Sequence, residues 1–177
     1  MDNPLEIRRL EAADAVEQLD GLAHVLADCV AGGASVSYMA PFSEADARLA
    51  FEAVVAEVGS GRRMLLAAFD GGTIVGTVQV ILAMPPNQPH RGEIAKLLVH
   101  RAARGRGVGR LLMEHAETAA ASAGKTLLVL DTASDSAERL YERLGWSRLG
   151  AIPGYALLPD GQPCDTVVFW KRIREGA

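Results

Sequence analysis

Residues 93–131 read strand, glycine loop, helix, strand, and this segment constrains the fold more than any other. EIAKLLV is a β-rich run. RAARGRGVGR follows and then a helix carrying Val108, Leu111, Leu112, His115, Ala116 and Ala119 on one stripe, with Gly124 as its stop before TLLVLD. A strand–helix–strand crossover of this length joins parallel strands, so the segment predicts a βαβ unit with parallel neighbours.

The loop has its own chemistry. Residues 101–110 hold four arginines and three glycines, in a chain with 22 acidic and 18 basic residues and a net charge of −4. The net negative charge argues against general nucleic-acid binding, while so local a concentration of cations predicts an anionic ligand at this segment. Glycines let the backbone come close to a ligand, and the helix start behind them offers unpaired N–H groups and partial positive charge to phosphate oxygens. Two familiar cradles do not fit. A P-loop ends in Gly-Lys-Ser/Thr, whereas Gly109 is followed by Arg110 and Leu111; a dinucleotide fingerprint needs a glycine where Arg110 stands.

The rest of the chain extends the alternation. Residues 5–10 form a candidate strand, and Val16, Leu19, Leu22, Ala23, Leu26 and Val30 recur at helical spacing up to Gly32-Gly33. Ser43 with Asp46 predicts a capping box for a helix whose buried face is Ala47, Ala50, Phe51, Val54, Val55 and Val58. Asp70-Gly71-Gly72 separates two β-rich runs and predicts an antiparallel hairpin. A last helix presents Ala137, Leu140, Tyr141 and Leu144, and two strand runs, WSRLGAI and TVVFWK, follow. With 177 residues, 49% of them hydrophobic, and no repeat or linker, the chain predicts one α/β domain over residues 1–177 with a mixed sheet. No leader pattern or run of about 18 apolar residues is present, so the expected address is the cytoplasm, with no membrane partner. Cys29 and Cys164 have no motif spacing, and the four histidines have no metal-ligand spacing, so no metal is expected. Trp146 and Trp170 read as core residues.

Arg104-Gly105-Arg106-Gly107-Val108-Gly109 resembles the Arg/Gln-x-x-Gly-x-Gly/Ala signature of the GCN5-related N-acetyltransferase (GNAT) superfamily. Two further stretches in the same order strengthen the likeness. Lys96-Leu97-Leu98-Val99 is similar to that family's cofactor strand, and residues 137–146, AERLYERLGW, resemble its Ala-x-x-Leu-Tyr-x-Arg-x-Gly-aromatic helix; Ser134 stands where the family often has Asn. The resemblance implies a single-domain fold with a mixed, mostly antiparallel sheet, a central parallel strand pair splayed at the cofactor site, and helices on both faces. It implies acetyl-CoA as co-substrate, bound by Leu97, Leu98, Val99, Arg104, Gly105, Arg106, Gly107, Val108, Gly109 and Arg110. Residues 32–39 and 152–161 also resemble a toxin-inactivating branch of the superfamily, the tabtoxin-resistance proteins.

An amine acceptor is mostly protonated at neutral pH and must lose a proton before it attacks a thioester. The resemblance implies two carboxylates for this task, Glu93 and Asp131, on the two strands that splay, with burial against like charge as the expected environment. As plain residues they also read as a solvated strand start and a turn cap. A backbone N–H near Leu98 or Val99, freed by strand divergence or a bulge, is the candidate oxyanion donor. Tyr141 is the candidate acid for the leaving thiolate, with a purely core role as the alternative. Tyr38 and Tyr155, in irregular segments, are either substrate-lining or loop anchors. No cysteine or serine is placed beside a histidine, so transfer is expected to be direct. The leading expectation is acetyl transfer to a small-molecule amine such as a toxin or amino-acid analogue. A protein or peptide N-acetyltransferase and a non-catalytic acyl-CoA sensor are the alternatives. The apolar C-terminal strand is a candidate edge for a homodimer.

Overall fold

The computed structural model describes residues 4–173. In chain order the elements are β1 (Glu6–Leu10), α1 (Ala12–Glu17), α2 (Leu19–Ala31), α3 (Glu44–Gly59), β2 (Arg63–Asp70), β3 (Thr73–Ile81), β4 (Arg91–Val99), α4 (Val108–Ser122), β5 (Leu127–Thr132), α5 (Asp135–Arg143), β6 (Ser147–Leu157) and β7 (Pro163–Arg172). A 3₁₀ turn, Arg101–Ala103, lies between β4 and α4. The strands form one sheet in the order β1-β2-β3-β4-β5-β7-β6. Every pairing is antiparallel except β4–β5, as the crossover predicts.

Local signals explain several boundaries. The Ser43–Asp46 capping box is present: the Asp46 N–H donates to the Ser43 hydroxyl at 3.1 Å, and the Ser43 N–H donates to the Asp46 carboxylate at 2.9 Å. The Asp70-Gly71-Gly72 turn joins β2 and β3 as a hairpin. The first predicted helix is two helices. Gln18 caps the end of α1 and the start of α2, and Val16 is 54% exposed, so the buried stripe begins at Leu19.

Helices cover the two faces unequally. On one face α4 and α5 pack over Leu66, Val78, Val80, Ile94, Leu128, Leu130, Val167 and Phe169, spanning nearly the whole sheet. On the other face α1, α2 and α3 pack over Leu10, Leu65, Ala67, Phe69, Ile74 and Leu98, all on β1–β4. Among the described residues no helix lies over the β5–β7 half of that second face, and Asp131 and Trp170 are exposed there. The sheet edge also departs from expectation. The C-terminal strand β7 is interior, between β5 and β6, so β6 is the free edge, with Leu149, Ile152, Tyr155 and Leu157 exposed. The reason is non-local: β7 reaches back to pair with β5, and β6 can then add only outside it.

Candidate active site

The glycine loop sits at the end of β4. Gly105 (φ 78°) and Gly107 (φ 81°) are both left-handed, and Gly107 is the N-cap of α4. A Cβ at either position would meet nothing within 4 Å, so it is the backbone conformation that demands glycine there and not a lack of room. With no side chain capping it, the start of this 15-residue helix presents its N–H groups outward. Gly109 has a different job. A Cβ there would lie 3.2 Å from Leu140 Cδ2, so its smallness lets α4 meet α5. Val108 is buried, so its side chain belongs to the core.

The arginines are mostly engaged within the protein. Asp28 on α2 accepts from the Arg101 backbone N–H and from its Nε, both at 2.8 Å. Burial alone would raise the Asp28 pKa, but the Arg101 hydrogen bonds and the His100 and Arg101 charges outweigh it and hold the carboxyl below its ordinary value. Arg106 pairs with Asp70 at 2.6 Å, tying the loop to the β2–β3 turn, and Arg110 pairs with Glu114 at 2.8 Å on its own helix. Arg104 donates to the Val99 carbonyl at 3.3 Å and, among the described residues, has no carboxylate partner. Two of the three arginines expected to serve as cofactor ligands, Arg106 and Arg110, thus already have counter-charges, supplied by the surrounding acidic chain.

Next to the loop the sheet opens. β4 and β5 are paired only from Arg91, Gly92 and Glu93 to Leu127, Leu128 and Val129; beyond this the strands part. At the same level β4 bulges. Leu98 faces Thr77 and Ala95 faces Gln79, leaving Lys96 and Leu97 opposite one β3 residue, with Lys96 at φ 51°. The irregularity falls at Lys96–Leu97 and not at the expected Leu98–Val99. It switches the faces: Ile94 joins the core under α4, whereas Leu98 joins the one under α2.

Glu93 lies opposite Val129, and Asp131 is two residues further along β5, so alternation puts both carboxylates on the face away from α4. They are not buried together as expected. Glu93 pairs with Arg91 at 3.2 Å with its side chain 42% exposed, while Asp131 is exposed and accepts from the Thr166 hydroxyl at 3.1 Å. Solvent and separate partners replace the expected like-charge contact. Tyr141 packs in the core against Trp146 and Phe169, with ring centroids 6.0 and 5.6 Å away. Burial, reinforced by the Asp131 charge, pushes its phenol far above its ordinary pKa. Among the described residues its hydroxyl has no hydrogen-bond partner, and no side-chain polar atom is both fully buried and unpartnered, so the hydroxyl keeps an accessible face.

On the α3 side of the bulge lies a cavity of about 400 Å³ lined by Ser37, Tyr38, Glu57, Arg63, Gln79 and Lys96 among others. Arg63 is held by Glu57 at 2.6 Å and also donates to Gln79. Lys96 Nζ donates to the Ser37 hydroxyl at 2.6 Å and stands 5.8 Å from the Tyr38 ring centre. Burial lowers the Lys96 pKa, partly offset by Asp131 and reinforced by Arg63. Tyr38 therefore lines a cavity. Tyr155 is 59% exposed on β6 and does not line it. The segment 32–43 is tied to the β6–β7 turn by Ala40 N–H to the Pro159 carbonyl at 2.9 Å and by the Ser35 hydroxyl to the Leu157 carbonyl at 3.3 Å.

Sequence reasoning missed Lys96, Ser37, Thr166 and the Arg63–Glu57 pair. Lys96 left a trace, as the one charged residue inside the apolar run IAKLLV. The others come from separate elements and left none. Among the described residues no three His, Cys, Asp or Glu side chains cluster to hold a metal, and no helix is long and apolar enough to cross a membrane.

The model of the acetyltransferase (GNAT) family matches residues 33–146. The fold is similar to an N-acetyltransferase from Staphylococcus aureus Mu50, with a TM-score of 0.79 and 16% identity over 96% of this chain and 99% of that one. It is similar to a GNAT superfamily phosphinothricin acetyltransferase from Sinorhizobium meliloti, solved in complex with acetyl-CoA: TM-score 0.78, 21% identity, 98% of this chain and 90% of the other. A ribosomal-protein-alanine N-acetyltransferase from Brucella melitensis gives 0.76 and 20% over 95% and 99%. At these identities the likeness is one of fold, and two of these relatives are named for very different acceptors.

Proposed function

The chain belongs to the acetyltransferase (GNAT) family, and from that premise we propose that it transfers the acetyl group of acetyl-CoA directly to the primary amine of a small molecule of amino-acid size. The family makes acetyl-CoA the co-substrate. The acceptor reading is carried by one observation, the cavity of about 400 Å³ between α3 and the β4 bulge. That volume suits a small ligand, and segment 32–43, which supplies Ser37 and Tyr38 to the lining, is held to the β6–β7 turn. The phosphinothricin acetyltransferase shares the fold and is consistent with a small acceptor.

In this reading the glycine loop and the α4 N-terminus hold the pyrophosphate through backbone N–H groups, with Arg104, which has no carboxylate partner among the described residues, as the auxiliary charge. The β4 edge at Leu97, Leu98 and Val99, unpaired by β5, receives the thioester end. Asp131 is the principal base, because it is exposed at the end of the parted strands and its charge reaches both Tyr141 and Lys96. Glu93, held by Arg91, is the second carboxylate. Once Asp131 has taken a proton from the ammonium, the neutral amine attacks the thioester carbonyl, the N–C bond forms, the C–S bond breaks, the thiolate leaves, and the second nitrogen proton passes through solvent to the thiolate, giving free CoA thiol. Tyr141 donates a hydrogen bond toward the departing sulfur. Its raised pKa favours this over complete proton transfer, since an ordinary thiol titrates near about 8.5. Cys29 supports direct transfer: it is buried and its pKa is raised, first of all by burial, so it is no thiolate nucleophile.

Release of free CoA thiol, followed across small amines, amino acids and peptides, tests the reading. Turnover with small amines and none with N-terminal or lysyl peptides is expected; the reverse pattern selects the protein-acetylating alternative. Acetyl-CoA binding with no acceptor turned over at all selects the sensor.

A further inference from the structure

Among the described residues only two non-glycine residues have positive φ, Ser37 at 79° and Lys96 at 51°. Their side chains meet: Lys96 Nζ donates to Ser37 Oγ at 2.6 Å across 59 residues of sequence. Left-handed backbone is unfavourable for such residues and persists only where the surroundings fix it. Here two such positions, one in the α2–α3 connection and one in the β4 bulge, converge on a single hydrogen bond in the cavity wall.

The charges at that wall do not cancel. Arg63 and Glu57 satisfy each other at 2.6 Å, with Gln79 as a further acceptor. Lys96 has only a neutral hydroxyl and, at 5.8 Å, the Tyr38 ring. The charged groups facing it are Arg63, which opposes its protonation, and Asp131, which favours it. A partly buried ammonium without a contacting carboxylate is costly, and an anion entering the cavity removes that cost. Asp131, whose charge reaches Lys96, is the complement. A zwitterion with its ammonium toward Asp131 and its anion toward Lys96 matches both charges at once.

We propose that Lys96, aimed by Ser37, binds a carboxylate of the acceptor, so that the substrate is an amino acid or an amino-acid-like zwitterion acetylated on its amine. This rests on the small-amine reading above. Lys96 is then a specificity-determining residue and takes no part in the bond changes.

The test uses the common L-amino acids, each paired with its decarboxylated amine, such as L-methionine with 3-(methylthio)propylamine and L-phenylalanine with 2-phenylethylamine. Wild-type kcat/KM is expected to favour the carboxylate-bearing member of an accepted pair, mainly through KM. Lys96→Met lowers that preference on the order of 10- to 100-fold, Lys96→Arg restores part of it, and acetyl-CoA affinity is unchanged in both. Should Lys96→Met fail to bind acetyl-CoA, Ser37→Gly removes the aiming hydroxyl without a left-handed penalty and is expected to lower the same preference. Wild type that treats both members of every accepted pair alike overturns the assignment while leaving the small-amine reading intact, as does an undiminished preference in Lys96→Met or, where that variant fails, in Ser37→Gly. Failure of every small amine as an acceptor overturns both.

Discussion

The two faces of the sheet carry candidate sites of different kinds. Under α4 and α5 the site is backbone: two left-handed glycines and a helix start, within residues 105–108, packed on a core that spans the sheet. Under α2 and α3 the candidate site is side chains, brought together from Ser37, Glu57, Arg63, Gln79 and Lys96 in the lining of one cavity. The faces meet where β4 and β5 part. A group common to every reaction of a fold is well served by main-chain donors, which do not depend on side-chain identity. A variable acceptor is served by side chains, which can change while the scaffold stays.

This contrast predicts separable losses. The largest is in turnover: Asp131→Asn is expected to lower kcat by roughly 10²- to 10⁴-fold, with Glu93→Gln costing less because Arg91 already occupies that carboxylate. Steady-state rates with an accepted amine check this, and equal losses for the two would erase the distinction between them. Gly107→Val forces a β-branched residue to φ 81°, at a cost of about 1–2 kcal/mol, so acetyl-CoA affinity falls on the order of 10-fold, read by calorimetry. Gly76→Ala probes the packing beneath the backbone site. Its Cβ would lie 2.9 Å from both the Leu98 carbonyl oxygen and Val108 Cγ1, so a loss of about 1–3 kcal/mol in unfolding stability is expected. Asp28→Asn has the smallest effect, and it depends on pH. Because the folded carboxyl titrates below its ordinary 3.8, Asp28 contributes stability above that value and loses it as pH falls through the folded pKa. The thermal deficit of the variant, clear at neutral pH, should therefore fade on acidification; a constant deficit would assign it to packing instead.

The same contrast explains what was legible in the chain. The parallel crossover, the hairpin at Asp70-Gly71-Gly72, the Ser43–Asp46 cap and the glycine loop are each written in a few adjacent residues whose backbone requirements are strict. The break at Gln18 was not legible, because Val16 fits the helical stripe and only tertiary packing leaves it exposed. Nor was the interior place of β7, which depends on pairing with β5 some 40 residues upstream. Glu93, Asp131 and Tyr141 became candidates through a family resemblance, but their surroundings were not legible. The Arg91 and Thr166 partners, and the counter-charges Asp70 and Glu114 on two of the arginines, are set by contacts that no local pattern encodes. Lys96 shows the boundary most clearly: its charge was visible in the strand, but its left-handed bulge and its meeting with Ser37 required the fold.

The central claim is that the backbone cradle holds acetyl-CoA independently of the side chains that serve the acceptor. Calorimetric titration of acetyl-CoA into the wild type and the Gly107→Val, Asp131→Asn and Lys96→Met variants tests it most directly. Weakened binding in Gly107→Val alone is the predicted result. Wild-type affinity in Gly107→Val, or an equal loss in Asp131→Asn and Lys96→Met, would contradict the account.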